Sequence, residues 1–172
     1  MLKLPQGLRQ LDFRGSSVAW IREAWRLLRN VPGGKNLYGR LLGQVIPYTG
    51  TIRPVFITLE PGHAVVRLDD RRAVRNHLGS VHAIALCNLA ELAGNAAIAC
   101  SLPDSARFIV KRIEIDYLKK ARGSIFASCT CPVSLGSERA EYHIEVELKD
   151  DQGTLVSKVR MVTLVGPIPT ST

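Results

Sequence analysis

The sequence predicts an α+β fold in which an antiparallel sheet of five to six strands wraps around a central hydrophobic helix, with an extra N-terminal helix. Residues 80–99 form one long, almost entirely apolar segment, which is typical of a helix buried in a protein core. A predicted hairpin precedes this helix, and four predicted strands follow it. The chain of 172 residues is long enough to bury such a core within one domain.

The N-terminal helix is predicted to begin at a cap formed by Ser16 or Ser17 and to run to about residue 29. Its apolar face consists of residues spaced at i, i+4 and i+7, namely Ile21, Trp25 and Leu28. The sequence VPGGKN at residues 31–36 stops the helix. A looser segment is expected from there to residue 50.

The strands are predicted from the alternation of apolar and polar residues and from turn residues. The hairpin pairs residues 55–60 with residues 63–69 across a Pro-Gly turn. After the helix, which ends near Pro103, the predicted strands cover residues 108–118, 124–133, 140–149 and 155–165. Because the connections between them are short, neighbouring strands are expected to be antiparallel.

The net charge of +8 is distributed unevenly along the chain. Residues 1–40 carry +6 and the other residues carry +2, so we predict a basic N-terminal helical extension (1–45), a main domain (46–167) and a tail (168–172). Such an extension can attract a phosphate-rich partner or the surface of an anionic membrane. No basic strand is interleaved with aromatic residues, so we predict no nucleic-acid partner.

The apolar helix and the cysteines set expectations about compartment and metal binding. Glu91 would lie near the middle of a bilayer if the helix spanned one, which is costly, so no integral membrane segment is predicted. The cysteines are too few and too irregularly spaced for a disulfide framework, and Cys129 and Cys131 lack further metal ligands nearby. We therefore expect structural thiols, no metal, and a reducing cytoplasm.

The central helix also carries a narrow polar stripe. Asn88, Glu91 and Asn95 fall within about 60° of one another around the helix. Such a stripe can simply contact solvent or a subunit interface. A charged side chain is rarely buried without a partner, however, so Glu91 is a candidate functional residue.

The start of this helix is the second candidate element. A helix N-terminus presents free N–H groups and the positive end of a dipole, which can hold the oxyanion formed when a thioester is attacked. Glu91, two turns further along, can act as base for water or as nucleophile. His82 has an equally plain role as a residue that caps or packs at the helix start, and His77 fits a surface loop.

Residues 76–91, NHLGSVHAIALCNLAE, resemble the active-site signature of hotdog-fold thioesterases of the phenylacetate-pathway type. That signature reads N-x-x-G-x-x-H-G-G followed by L-A-D or L-A-E, and the matching positions are Asn76, Gly79, His82 and Leu89-Ala90-Glu91. Residues 83–84, Ala-Ile, replace the two glycines. The sequence is more similar still to an uncharacterised hotdog branch with Pro-Tyr-x-Gly (residues 47–50) and Asn-His-x-Gly-x-x-His-Ala.

The resemblance implies a hotdog fold and an acyl-CoA thioesterase whose site lies between the subunits of a homodimer or a dimer of dimers. It implies that Glu91 is base or nucleophile, that the Ala83 amide binds the thioester oxygen, and that Asn76 and His82 help to place carbonyl or water. Coenzyme A enters only as part of the substrate, so no cofactor is expected. Its phosphates would meet basic residues, for which the candidates are Lys119, Lys120, Arg122 and Arg139. For each of them a solvated loop cation is the alternative.

Two other functions are considered beside the thioesterase. A non-catalytic acyl-CoA-binding or regulatory hotdog protein is favoured by the loss of the two glycines after His82, because glycine lets the thioester approach closely. A hotdog dehydratase or hydratase ranks last, because His82 and Glu91 do not fit the motifs of that family.

Overall fold

The structure is a computed structural model that describes residues 18–168. Its elements, in chain order, are α1 (Ala19–Leu28), α2 (Gly34–Val45), α3 (Pro47–Gly50), β1 (Val55–Glu60), β2 (His63–Leu68), α4 (Ala83–Ser101), β3 (Ala106–Tyr117), β4 (Ile125–Thr130), β5 (Ala140–Asp150) and β6 (Leu155–Pro167). A short 3-10 helix, Arg72–Val74, precedes α4. The predicted α+β architecture, with one sheet around a central helix, is confirmed.

All six strands belong to one antiparallel sheet with the order β1-β2-β4-β5-β6-β3. Strand β3 pairs with β6 from Ala106 opposite Pro167 to Tyr117 opposite Ser157. On its other side β3 has no strand neighbour among the described residues, so it is an edge of the sheet. The first and last residues of β3 lie at opposite ends of the sheet. This matters for the predicted site residues, some of which follow β3 while Arg139 precedes β5.

Helix α4 forms the centre of the hydrophobic core. It packs closely on β5 and β6, where a Cβ added to Gly94 would lie 2.9 Å from the sulfur of Met161 and 3.1 Å from Cδ1 of Ile144. Within residues 18–168 it is the one helix long and apolar enough to cross a membrane, and 67% of that apolar window is buried inside the protein. Its composition is therefore explained by its place inside the sheet.

The expectation of a loose segment up to residue 50 is wrong, because helices α2 and α3 occupy it. Tyr38 on α2 is fully buried, its hydroxyl donates to the carbonyl of Ile21 at 3.1 Å, and its ring lies 4.8 Å from that of Phe56. Gly39 faces β1 so closely that a Cβ would overlap the carbonyl oxygen of Pro54. The glycines that suggested a loop are thus contact points of a packed helix, and tertiary packing overrides their low helix propensity.

Two further sequence predictions concern the start of α1 and the end of β4. The predicted cap at Ser16 or Ser17 lies outside the described residues, although the helix itself is present as α1. The strand predicted over residues 124–133 ends at Thr130. Pro132 lacks the N–H that a ladder position requires, which explains the shorter strand.

Arg22 of α1 binds the C-terminal end of α4. Its guanidinium donates to the carbonyl oxygens of Ala99 at 3.1 Å and Leu102 at 2.8 Å, and it forms an ion pair with Asp104. The last carbonyls of a helix have no partner within the helix, so a cation at this end satisfies them and also interacts favourably with the helix dipole.

Replacing Arg22 with alanine is expected to lower the free energy of unfolding by about 1.5–3 kcal/mol, because a partly buried charged donor to two carbonyls is lost. The measurement is equilibrium unfolding in urea. Arg29→Ala, at an exposed arginine just after α1, is the matched control and is expected to change stability by less than about 0.5 kcal/mol. Equal effects of the two substitutions would contradict the capping role.

Candidate active site

The first turn of α4 is capped by the side chain of His82. Its Nδ1 accepts a hydrogen bond from the backbone N–H of Ile84 at 3.1 Å. The histidine side chain thus satisfies one of the N–H groups that the first turn of a helix leaves without a partner. The Ala83 N–H, by contrast, has no hydrogen-bond partner among residues 18–168, as expected for the first position of a helix.

Asn76 organises the loop that leads into α4. Its Oδ1 accepts hydrogen bonds from the N–H groups of Leu78 at 3.0 Å and Ser80 at 3.1 Å. Gly79 adopts φ +71°, a left-handed conformation in which glycine is favoured, and its N–H donates to the carbonyl of Asn76. The carbonyl oxygen of the Asn76 side chain is therefore used inside the loop, and its amide NH₂ remains as the group that can meet a substrate.

This loop is tied to the loop between β3 and β4. The N–H of Val81 donates to the carbonyl of Ala121 at 2.9 Å. The structure thereby brings three of the predicted phosphate-binding residues next to the start of α4, all of them exposed: Lys119, Lys120 and Arg122. Arg139 is not among them, because it precedes β5 at the opposite end of the sheet, where it lines a cleft of about 660 Å³ with Arg107.

The three residues of the polar stripe predicted on α4 do not share one environment in the structure. The side-chain amide of Asn88 is buried and donates to the carbonyl of Tyr48 at 3.1 Å, which directs it toward α3. Glu91 is half-buried, and Nδ2 of Asn95 lies 3.5 Å from its Oε1. Glu91 therefore has one weak polar partner, and its carboxylate remains available.

A different line of residues connects Glu91 to the helix start. Ala83, Cys87 and Glu91 are spaced four residues apart, so they lie above one another on one face. Burial and the neighbouring charge of Glu91 raise the pKa of the Cys87 thiol. At neutral pH this cysteine is therefore a thiol, the form that is a poor nucleophile.

Tyr117, at the end of β3, closes this face of the helix. Its hydroxyl donates to the carbonyl oxygen of Ala83 at 3.0 Å, and burial together with the nearby Cys87 raises its pKa. Sequence analysis missed both Tyr117 and Cys87. The i−4 spacing from Glu91 was a signal for Cys87, whereas only the fold brings Tyr117, which is 34 positions away, to Ala83.

Apolar side chains surround the start of α4 without being buried. A cleft of about 180 Å³ beside the first turns is lined by Tyr48, His82 and Ile84, among others. Several large apolar residues in the elements and loops that meet at this end of α4 are exposed: Tyr48, Leu78, Ile84, Tyr117 and Leu118. Exposed large apolar side chains of this kind are typical of an interaction site when they group together on a surface.

The two loops around the site are joined by Asp70. Its Oδ1 lies 2.7 Å from Nε of Arg75, and its Oδ2 accepts the N–H of Gly123 at 3.2 Å. The hydrogen bond from Arg75 outweighs burial and lowers the pKa of this carboxyl. Because the pKa is lower in the folded protein, the contribution to stability is full above the unfolded pKa near 4 and is lost as pH falls through the folded value.

We expect Asp70→Asn to destabilise the protein by about 1 kcal/mol at pH 7. This difference between variant and wild type should shrink as the pH is lowered from about 5 to about 3, because the wild-type carboxyl then becomes neutral as well. Urea unfolding at several pH values measures it. Asp116→Asn, at an exposed carboxylate on the sheet, is the control, and the idea fails if both variants show the same pH dependence.

The described residues contain no cluster that suggests a metal ion. Within residues 18–168 no group of three or more His, Cys, Asp or Glu side chains is placed to share one. The four cysteines are free, and burial, followed by the neighbouring Cys131, raises the pKa of Cys129 to about 12.

Comparison with known proteins connects this geometry to a family and a fold. Residues 34–165 match the model of a family described as "Domain of unknown function (DUF4442)". A protein whose crystal structure was solved in a genomics project is 30% identical, with a TM-score of 0.73 over 86% of this chain and 98% of its own. No curated protein matches the chain.

Two further solved structures are called thioesterases. A protein of unknown function from Pseudomonas aeruginosa, named a probable thioesterase, is 25% identical, with a TM-score of 0.69 over 80% of this chain and 97% of its own. A thioesterase from Haemophilus influenzae is 16% identical, with a TM-score of 0.65 over 75% of this chain and 90% of its own. The predicted hotdog fold, shared with proteins of the thioesterase type, is thereby confirmed.

Proposed function

Since the chain belongs to the family described as "Domain of unknown function (DUF4442)" and has a thioesterase-like hotdog fold, we propose that it hydrolyses acyl thioesters of coenzyme A. The observation that carries the proposal is the line of Ala83, Cys87 and Glu91 on α4. It combines an unpaired amide at the positive end of a helix with an available carboxylate, the two groups that acyl transfer from a thioester requires.

In the proposed reaction the Ala83 N–H holds the carbonyl oxygen of the thioester. The Glu91 carboxylate, which a second copy of the chain supplies, takes a proton from water, and the water oxygen forms a bond to the carbonyl carbon. The negative charge that develops on the carbonyl oxygen is stabilised by the Ala83 amide and the helix dipole. When this intermediate collapses, the C–S bond breaks, the thiolate receives the proton from Glu91, and a thiol and a carboxylic acid leave. The acid then loses its proton to solvent. Direct attack by Glu91 through an acyl-enzyme is the alternative route.

The spacing of these groups supports a site that two subunits share. Ala83 and Glu91 are eight residues apart, which is about 12 Å along a helix, whereas reacting atoms must approach within about 3–3.5 Å. A Glu91 from a second copy of the chain can face the Ala83 amide of the first. The free edge of β3 and the exposed apolar residues around the start of α4 are the surfaces that such a homodimer, or a dimer of dimers, would cover.

The basic loop after β3 supports coenzyme A as the thiol component. Lys119, Lys120 and Arg122 stand next to the start of α4, where their charges can meet phosphates while the thioester reaches the helix. Within one chain Arg139 cannot bind the same phosphates, because it lies at the opposite end of the sheet from this loop. Antiparallel pairing of two β3 edges would bring the Arg139 end of one copy toward this loop of the other.

The test is hydrolysis of acyl-CoA substrates across a series of chain lengths, with release of free thiol as the readout. Turnover of any member of the series supports the proposal. Ile84 is 52% exposed where the thioesterase signature has glycine, and this favours one competing function, a non-catalytic acyl-CoA-binding protein. Saturable binding of acyl-CoA without turnover at any chain length would establish that function and exclude hydrolysis.

A further inference from the structure

A polar cleft of about 700 Å³ lies between α2, α3 and the start of β1, apart from the candidate active site. Its volume is in the range of small-molecule sites, about 300–1,000 Å³. Helix α3 separates this cleft from the candidate active site. Tyr48 of α3 lines the small cleft beside α4, whereas Pro47 and Gly50 of α3 line the larger one. The polar side chains of the larger cleft are Asn36, Arg40, Gln44, Arg53 and Asp69.

The charge in this cleft is positive and uncompensated. Neither Arg40 nor Arg53 has an ion pair within residues 18–168, and the segment 24–59 contains five basic residues and no acidic one. Asp69 also lines the cleft, but it pairs with Arg67 at 2.7 Å and accepts a hydrogen bond from Ser124 at 3.3 Å. Its charge is therefore paired with Arg67, so the two arginines leave the cleft with a net positive charge.

A third guanidinium increases the positive potential around Arg53. Arg71 donates a hydrogen bond to the carbonyl oxygen of Thr51, and burial, followed by the nearby charge of Arg53, lowers its pKa. Like charges held close together repel, and this repulsion is relieved when an anion binds between them. The cleft therefore favours an anionic ligand.

The remaining lining offers further donors. Gly39, Gly43 and Gly50 also line the cleft, where they pack against Pro54 and against each other and so hold α2 and α3 close together. The side-chain amides of Asn36 and Gln44 are neutral hydrogen-bond donors on α2.

We propose that this cleft binds a phosphate group of a nucleotide through the guanidinium groups of Arg40 and Arg53 and the side-chain amides of Asn36 and Gln44. Guanidinium groups pair with phosphate through two parallel hydrogen bonds, which gives both affinity and orientation. The volume of the cleft exceeds what a phosphate ion alone requires and accommodates the sugar as well. The nucleotide is either a free nucleotide or the adenosine 3′,5′-bisphosphate part of coenzyme A, and in the second case this cleft replaces Lys119, Lys120 and Arg122 as the site of those phosphates.

Isothermal titration of the whole chain with adenosine 3′,5′-bisphosphate, coenzyme A and inorganic phosphate tests the proposal. The variant is Arg40→Gln combined with Arg53→Gly, and the control is Arg29→Gln, which removes a charge outside the cleft. Arg53 has φ +50°, a conformation that glycine adopts without cost, so the variant is expected to fold, which circular dichroism checks.

The wild type and the control are expected to bind the bisphosphate saturably, and binding should weaken as salt is raised. The double variant should bind about 100-fold more weakly, about tenfold for each guanidinium removed. Parallel weakening of coenzyme A binding identifies coenzyme A as the source of the nucleotide, and unchanged coenzyme A binding identifies a free nucleotide. The proposal is overturned by an absence of saturable bisphosphate binding, by equal affinity in the double variant, or by inorganic phosphate binding as tightly as the bisphosphate.

This proposal stands or fails separately from thioester hydrolysis. Acyl-pantetheine has the thioester and lacks the nucleotide, so its turnover reports on α4 alone. The double variant is expected to hydrolyse it at the wild-type rate. If the wild type binds nucleotide but hydrolyses neither substrate, the cleft is supported and the proposed hydrolysis is excluded.

Discussion

Replacing Glu91 with glutamine is expected to lower kcat for thioester hydrolysis by about 10²–10⁴-fold, because glutamine cannot accept a proton from water or attack a carbonyl. The amide has nearly the same shape and still accepts the hydrogen bond from Asn95, so the fold and the binding of substrate should be retained. Steady-state release of thiol measures the rate, and binding of a non-hydrolysable acyl-CoA thioether measures the retained affinity.

Glu138→Gln provides the matched control for this experiment, because Glu138 is an exposed carboxylate in the loop before β5. Its kcat should equal that of the wild type. If the Glu91→Gln variant keeps the wild-type kcat, Glu91 has no role in the reaction. It is then a polar residue that contacts solvent or a subunit interface, which is the other interpretation of the polar stripe. Loss of both turnover and thermal stability would instead point to a structural role.

The substitution Gly39→Ala is expected to destabilise the protein by about 3 kcal/mol. The added methyl group would overlap the carbonyl oxygen of Pro54, and backbone atoms cannot move aside as the end of a flexible side chain does. Helix α2 must then shift away from β1, which opens the contacts of Tyr38 with Phe56. Equilibrium unfolding in urea measures the loss.

Gly166→Ala serves as the control for this change. Gly166 lies in β6, and a Cβ added there meets no atom within 4 Å. We expect its effect on the free energy of unfolding to be within about 0.5 kcal/mol of zero. Comparable stability of the two variants would mean that α2 can move from β1 without cost, and the packing described for Tyr38 would then be unimportant.

The predictable part of the fold is the part where periodicity and burial agree. The apolar segment that became α4 and the alternation that became β5 each have a single reasonable interpretation. Helix α2 could not be predicted in the same way, because Gly39 and Gly43 weaken helix propensity and resemble a loop. What stabilises α2 is the contact of those glycines with Pro54 and α3, which is a property of the folded protein.

The candidate site was predictable to a similar degree. Motif spacing located the loop at Asn76, the cap at His82 and the carboxylate at Glu91. Periodicity could not show that Asn88 turns to Tyr48, since that depends on where α3 lies. It also could not join Tyr117 to Ala83 or separate Arg139 from the loop that follows β3, because both relations arise from strand pairing between distant parts of the chain.

The contact of Arg22 with the end of α4 has a consequence for where this domain begins. The family match starts at residue 34, beyond α1, yet α1 supplies the donor for two carbonyls of the core helix and buries Trp20, Trp25 and Leu28 in the common core. A cooperative unit includes every segment whose removal exposes core surface. The unit that folds and unfolds as one therefore reaches back at least to α1, and the boundary drawn by sequence similarity cuts through it.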